Sequence, residues 1–359
     1  MALPVPKPGI LEIKPYIGGE GRAAGVTRLI RLASNENPLG CSALAREAYL
    51  KAAAELHRYP DGAAADLRAA LAQEYKMAAD RIVCGAGSDE LISLIVRAYA
   101  GAGDELVYSE HGFLMYPINA RAVGAKPVAA KEIDLRTDVG ALLEAVTPKT
   151  KIMLLANPNN PTGSYLTKVE LRELREKLPE NVLLVIDAAY AEFVEAEDYE
   201  DGRTLVEAYP NVVMLRTFSK IHGLAGLRLG WGYFPLEVAG IINRVRGAFN
   251  VSLPAQAAGI AALTDHEFVQ KSIALAVQGR AFLTKELQGL GLKVYPSVAN
   301  FLLVEFGPKA EDIRLALKDK GIFVRQMGAY NLPHCLRITL GTAEDNEAVV
   351  GELRKILGR

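Results

Sequence analysis

The chain has 359 residues, half of them hydrophobic and under a quarter charged, with a formal net charge of -1. That length is too great for one small core and points to about two domains. The near-neutral balance excludes a global basic field for nucleic acid or an anionic membrane surface, while local basic residues remain free to bind a small anion.

Residues 1–30 read as an irregular arm, because Pro4, Pro6, Pro8 and Pro15 precede Gly18, Gly19 and Gly21 and such residues punctuate regular structure. The arm lacks the apolar core of a signal peptide, and no run approaches the roughly 18 apolar residues of a membrane span. A cytoplasmic protein is therefore expected. From about residue 45, helical patterns alternate with short apolar runs. Alanine-rich helices are predicted over 42–56 and 63–75, then a strand over 82–84 and a helix over 88–99 with Ser88 placed to cap it. A strand over 105–108 and a helix over 112–122 follow, then a strand over 152–156, a helix over 167–177, and strands over 182–186 and 212–216. Continuous apolar strands between helices imply an α/β fold with a mostly parallel sheet covered on both faces.

Beyond this sheet a long helix is predicted over 266–290, with strands at 293–295, 301–305 and 336–340 and helices at 309–319 and 343–357. The chain thus divides into the arm (1–30), a large domain (31–265) and a smaller α+β domain (266–359), with 31–45 able to pack against the smaller one. The three cysteines, Cys41, Cys84 and Cys335, are distant in sequence and odd in number. They argue against a disulfide framework or a metal site and for small buried thiols in a reducing compartment.

Ligand sites in parallel sheets lie beyond the carboxyl ends of the strands, and the notable polar residues gather there. In TFSKIHGLAGLRLGW (217–231), Thr217, Ser219 and Arg228 are suited to phosphate oxygens, and Lys220 is an amine able to form an imine with an aldehyde. In IDAAY (186–190), Asp187 ends a buried strand and could protonate a ring nitrogen, although a helix cap would look the same. ANPNNPTG (156–163) forces a tight loop in which Asn160 offers an amide donor. In CGAGSDELI (84–92) a strand runs through Gly85 and Gly87 into a helix start that could bind phosphate. The same G-x-G, with Glu110 about twenty residues on, half-matches a dinucleotide fingerprint, but Glu90 occupies the place of its third glycine. An NAD-dependent dehydrogenase is the rival that this segment raises.

Taken together, these motifs resemble the fold-type I aminotransferases, and in order and spacing the histidinol-phosphate aminotransferase family. The resemblance runs through PYIGGE (15–20), ASNENPLG (33–40), HRYPDG (57–62), GSDELI (87–92), NPNNPTG (157–163), DAAY (187–190), RTFSKIHGLAGLRLG (216–230), ANFLLV (299–304) and LRITLGT (336–342). It implies pyridoxal 5′-phosphate held as a Schiff base on Lys220, with Asp187 on the pyridinium nitrogen and Asn160 and Tyr190 on the phenolic oxygen. Phe113, in EHGFLMY (110–116), falls where the family stacks an aromatic on the ring. Gly87, Ser88 and Asp89, with Thr217, Ser219 and Arg228, fall at the phosphate. Tyr59 matches a tyrosine that reaches the neighbouring subunit's phosphate, so a homodimer is implied. Arg337 matches the arginine that grips the substrate anion, and Tyr16, Asn35 and Arg325 match substrate-side positions.

The resemblance further implies transfer of an amino group from histidinol phosphate to 2-oxoglutarate, in histidine biosynthesis. An aromatic amino-acid aminotransferase is the alternative, alone or as a second activity, with a threonine-phosphate decarboxylase behind it. A ligand-sensing domain of a transcription regulator would need an attached DNA-binding domain, for which the arm is too short. Two departures stand out. Ala188 replaces the glutamate of the common D-E-A-Y, outside the imine chemistry. His111 and Gly112 replace the proline and threonine of the more frequent P-T-F, near the stacking residue, and could alter substrate preference.

Overall fold

In the computed structural model, which describes residues 4–21 and 28–359, two sheets organise the chain. Residues 1–3 and 22–27 of the expected arm lie outside the described residues. The larger sheet has seven strands, in the order Ile82–Gly85, Gly230–Tyr233, Val212–Thr217, Leu183–Asp187, Thr150–Ala156, Glu105–Ser109 and Lys126–Ala130. Gly230–Tyr233 runs antiparallel to both of its neighbours, and the other pairings are parallel. Every residue of Leu183–Asp187 and Val212–Thr217 is buried, as expected of strands covered on both faces. Alternate residues feed two separate cores. Met153, Leu184, Ile186 and Met214 pack on one face, and Ile152, Leu154, Val185 and Leu215 on the other.

The second sheet has five strands, in the order Ile30–Leu32, Ile322–Gln326, Cys335–Thr339, Phe301–Glu305 and Lys293–Val294. Ile30–Leu32 pairs parallel with Ile322–Gln326, so the segment just after the arm is stitched to a strand almost 300 residues downstream. The 24-residue helix His266–Gly289 packs against the same core through Ala276, Leu283 and Leu287. Among the described residues no helix is long and apolar enough to cross a membrane.

Most elements expected from the sequence form within a few residues of their expected ends. Lys168–Lys177 starts at a capping box, in which Thr167 and Glu170 satisfy each other's end of the helix. Ser88 is not a cap, contrary to expectation. Gly87 takes the cap position with φ 89°, and Ser88 is already the first helical residue. The helix expected over 112–122 starts only at Met115, because the chain first turns through a Gly112 N–H bond to the Ser109 carbonyl.

Several elements had no sequence expectation. Gly230–Tyr233 reads as a turn because glycines fill alternate positions, yet a Cβ at Gly230 would collide with the Ser88 backbone and one at Gly232 would strike the Phe234 and Leu215 side chains. Leu253–Thr264 is rich in alanine and is buried on several sides, so it shows no single apolar stripe. The dinucleotide reading fails on topology. Ile82–Gly85 sits at one edge of the sheet, with four strands between it and the next strand in sequence, Glu105–Ser109, whereas the fingerprint requires a compact βαβ unit.

Behind the sheet, Arg216 is buried between two carboxylates. Nη1 donates to Asp201 Oδ2 at 2.6 Å and Nη2 meets Glu192 Oε1 at 2.8 Å, while the guanidinium lies over the rings of Tyr75 and Trp231. Removing one member of such a cluster leaves the others desolvated and unpaired. Arg216→Met is expected to lower stability by about 3–5 kcal/mol, measured as a shift of the urea midpoint. A loss under about 1 kcal/mol would contradict a supporting role for the cluster.

Candidate active site

The parallel strands deliver their last residues to one edge. Ala156 pairs with Asp187, and Asp187 with Leu215, so the loops that follow 156, 187 and 217 open side by side. Between this edge and the second sheet lies a cavity of about 310 Å³, within the size range of small-molecule sites. Asp187, Tyr190, Asn160, Phe113, Lys220, Thr217, Ser219, Arg228, Ser88 and Asp89 line it from the larger sheet, and Arg337, Asn35 and Tyr16 from the other side. Three sequence candidates are not in the lining: Gly87, Arg325 and Tyr59.

Lys220 follows the Val212–Thr217 strand, and its Nζ donates to the Ser34 carbonyl at 3.1 Å. Burial pulls its pKa down to about 7, helped by the positive charges of Arg337 and Arg228 and opposed by Glu36 and Asp187. The amine is thereby ready to be a neutral nucleophile near neutral pH, which an exposed lysine is not.

Asp187 is buried, and its Oδ2 accepts a hydrogen bond from the Tyr116 hydroxyl at 2.9 Å. Burial raises its pKa to about 6, while the Tyr116 hydroxyl and the Ala189 N–H favour the charged form. Its Oδ1 is buried without a partner, an expensive condition that a donor in the cavity would relieve.

At one end of the cavity the helix Ser88–Tyr99 begins with no side-chain cap on its first N–H groups, a favourable seat for phosphate. Arg228 leans over it. A Cβ on Gly87 would lie 2.6 Å from Arg228 Nη2, so only glycine admits that approach. Arg228 Nη1 donates to Ser219 Oγ at 3.3 Å, and the Ser219 N–H donates to Thr217 Oγ1 at 3.1 Å. The Asp89 side chain has a buried, unpartnered oxygen, and burial raises its pKa against the pull of Arg228.

At the other end Arg337 is buried, with Nη1 donating to Asn160 Oδ1 and Nη2 to the Ala33 carbonyl. Its Nε is buried and unpartnered, so the guanidinium keeps a donor for an anion. Because arginine can only donate, Asn160 must turn its oxygen to Arg337, which leaves its NH2 as a free donor. Asn35 Nδ2 donates to the Tyr190 hydroxyl oxygen at 2.9 Å. Burial pushes the Tyr190 phenol up to about 12, so it keeps a proton to donate.

Arg325 pairs in register with Arg337 across neighbouring strands. It lies over the Tyr16 ring and donates to the Ile17 carbonyl at 2.5 Å, behind the cavity wall rather than in it. Tyr59 is 81% exposed and stacks on Phe249, with ring centroids 4.6 Å apart. In a single chain it therefore stands outside the cavity.

Sequence reasoning assigned no role to Tyr116, Ser34 or Glu36. Tyr116 stood in the EHGFLMY segment, but nothing in a linear sequence signals that its hydroxyl reaches a residue 71 positions away. Among the described residues no cluster of three potential metal-ligand side chains occurs.

These groups fit a phosphorylated pyridine aldehyde: a cationic, glycine-lined helix start, a low-pKa amine, and an orphaned carboxylate oxygen for a ring N–H. Comparison with known proteins agrees. Residues 27–353 match the family model described as aminotransferase class I and II. Histidinol-phosphate aminotransferase from Rhodospirillum centenum is 56% identical over 356 residues, 98% of each chain. The protein of that name from Paramagnetospirillum magneticum is 54% identical over the full length of both chains. A crystal structure of histidinol-phosphate aminotransferase from Sinorhizobium meliloti in complex with pyridoxal-5′-phosphate superposes with a TM-score of 0.86 at 30% identity. The match covers 92% of this chain and 91% of that one.

The site makes a prediction for the cofactor-free protein. The Lys220 amine is expected to titrate near pH 7, read from the pH dependence of its acylation rate by mass spectrometry. Because the folded pKa lies below the unfolded one, Lys220 should also make the cofactor-free fold more stable as pH rises through that window. Arg337→Met removes a neighbouring cation and should move the amine's pKa upward. An amine that titrates like an ordinary lysine in the parent protein would contradict this electrostatic picture.

Proposed function

The chain belongs to the histidinol-phosphate aminotransferases of the class I and II aminotransferase family, and from that premise we propose that it interconverts histidinol phosphate and 2-oxoglutarate with imidazole-acetol phosphate and glutamate, a step of histidine biosynthesis. The observation that carries the reading is the company Lys220 keeps: a half-buried amine in one cavity with an orphaned carboxylate oxygen, a phosphate-ready helix start and a second, separate arginine. The cofactor is pyridoxal 5′-phosphate, which when bound supplies an electron-poor ring to stabilise negative charge at the substrate's Cα.

The protein's own groups divide the remaining work. Lys220 Nζ would hold the cofactor through its aldehyde and would be the base that takes a proton from the substrate's Cα. Asp187 keeps the ring nitrogen protonated. The Tyr190 hydroxyl and the Asn160 NH2 would be the donors for the ring's oxygen, and Phe113 would supply an aromatic face for the ring. The N–H groups opened by Gly87, Ser88 and Asp89, with Thr217, Ser219 and Arg228, hold the phosphate.

Arg337 takes the substrate's anionic group, a phosphate in one substrate and a carboxylate in the other, since both offer a pair of oxygens to its fork. Asn35 fixes Tyr190, and Tyr16 closes the substrate side with Arg325 behind it. We further read the enzyme as a cytoplasmic homodimer whose Tyr59 reaches the neighbouring subunit's phosphate site. The exposed Tyr59–Phe249 stack and the three free cysteines support that reading. The chain is read as two units dividing near residue 265.

The test is a steady-state assay of the purified enzyme with histidinol phosphate, phenylalanine and tyrosine, each against 2-oxoglutarate. Histidinol phosphate should have the highest kcat/KM, and a faster aromatic substrate would reassign the enzyme. Lys220→Ala should abolish turnover, and Asp187→Ala should lower kcat about 10²–10³-fold. Near-normal turnover in either variant would remove that residue from its role.

Arg325 makes a separate prediction. We read Arg325, behind the wall, as adding its charge to the grip of Arg337 on the substrate's phosphate, so Arg325→Met should raise KM for histidinol phosphate roughly two- to five-fold and change KM for phenylalanine little. Equal increases for both substrates would end its assignment to phosphate.

A further inference from the structure

Resting on the reading that this cavity holds pyridoxal phosphate, we propose that Tyr116 is a positioning residue for the cofactor's ring nitrogen: its hydroxyl pins one oxygen of Asp187 and reserves the other for the ring. Tyr116 lies on the helix Met115–Ala122, fully buried, and donates to Asp187 Oδ2 at 2.9 Å. A carboxylate can only accept, so the phenol must be the donor. Asp187 Oδ1 is buried and has no partner in the protein. One oxygen is thus occupied from the core side, and the remaining one belongs to a residue lining the cavity.

The bond acts in two ways. It fixes the rotation of a carboxyl group that would otherwise turn about its Cβ–Cγ bond. It also favours the charged form against burial, which raises the pKa of Asp187. Tyr116 is in turn held by the stacking loop. Phe113 meets its ring edge-on at 5.8 Å, its N–H donates to the Phe113 carbonyl at 2.9 Å, and Tyr108 meets its other side at 6.5 Å. A single side chain therefore links the residue proposed to cover the ring with the residue proposed to hold its nitrogen.

The experiment compares the binding of pyridoxal phosphate with that of its 1-deaza analogue, which carries C–H in place of the ring nitrogen. Dissociation constants are measured on cofactor-free parent protein, Tyr116→Phe and Tyr108→Phe. The parent and Tyr108→Phe should prefer the natural cofactor by about ten-fold or more, the scale of a charged hydrogen bond. Tyr116→Phe should bring that preference close to one while leaving the deaza analogue's affinity unchanged. A more acidic hydroxyl, introduced as 3-fluorotyrosine at position 116, should widen the preference and covers the case in which Tyr116→Phe folds poorly.

An unchanged preference in Tyr116→Phe, or equal weakening of both ligands, would overturn the proposal and leave Tyr116 as core packing. A parent protein with no preference would overturn it together with the Asp187 role. A parent protein that binds neither ligand would refute the cofactor reading itself.

Discussion

Keeping one amine easy to deprotonate among fixed charges is the constraint on which this site depends. Lys220 sits within the field of Arg337 and Arg228, and the ammonium form is disfavoured by both burial and repulsion. Relaxing either arginine would return the lysine toward its ordinary, protonated state. Each cation therefore has two consequences: it offers donors to an anion, and it keeps the nucleophile ready. The sheet makes this possible. Asp187 and Thr217 fall at the last positions of Leu183–Asp187 and Val212–Thr217, at one edge, with Lys220 just beyond.

That logic explains what could be read from the sequence. The runs LLVID and VVMLRT are apolar until their last residues, so their strand character and the position of their polar ends are both local properties. The phosphate end was similarly legible, because a strand that breaks at Gly85 and Gly87 before an amphipathic helix leaves N–H groups unpaired at a known place. Ser88 was misread as the cap because serine is the commoner choice. Backbone geometry decided otherwise: the cap position at 87 has φ 89°, which glycine adopts and other residues rarely do.

What was not legible depends on distance in sequence. Tyr116 and Asp187, Asn35 and Tyr190, and Arg337 and Asn160 are separated by 71, 155 and 177 residues. No periodicity encodes such pairs. The strand Gly230–Tyr233 was missed for a related reason. Its glycines look like a turn, but they are there because the Ser88 backbone on one side and the Phe234 and Leu215 side chains on the other come too close for a Cβ. The glycine content reports packing against another segment rather than local flexibility.

The departures at 111 and 112 can be argued in the same terms. A proline at 111 would fix φ and remove an N–H, yet here the His111 N–H donates to Glu132 Oε1 and its Nδ1 lies 2.8 Å from Glu132 Oε2. A third Glu132 contact is from Ser109 Oγ, which donates to Oε1 at 2.5 Å. A buried carboxylate on the small hairpin Glu132–Thr137 thus takes over the task of shaping the loop. Burial lowers the His111 pKa, but the Glu132 hydrogen bond and charge outweigh it and raise the pKa overall, which strengthens the tie. Gly112 follows as a necessity, since a Cβ there would lie 2.9 Å from the Ser109 carbonyl oxygen that its own N–H bonds. The two substitutions are therefore one change. Hydrogen bonds to Glu132 replace ring rigidity, and the glycine lets the turn close so that Phe113 still reaches the cavity.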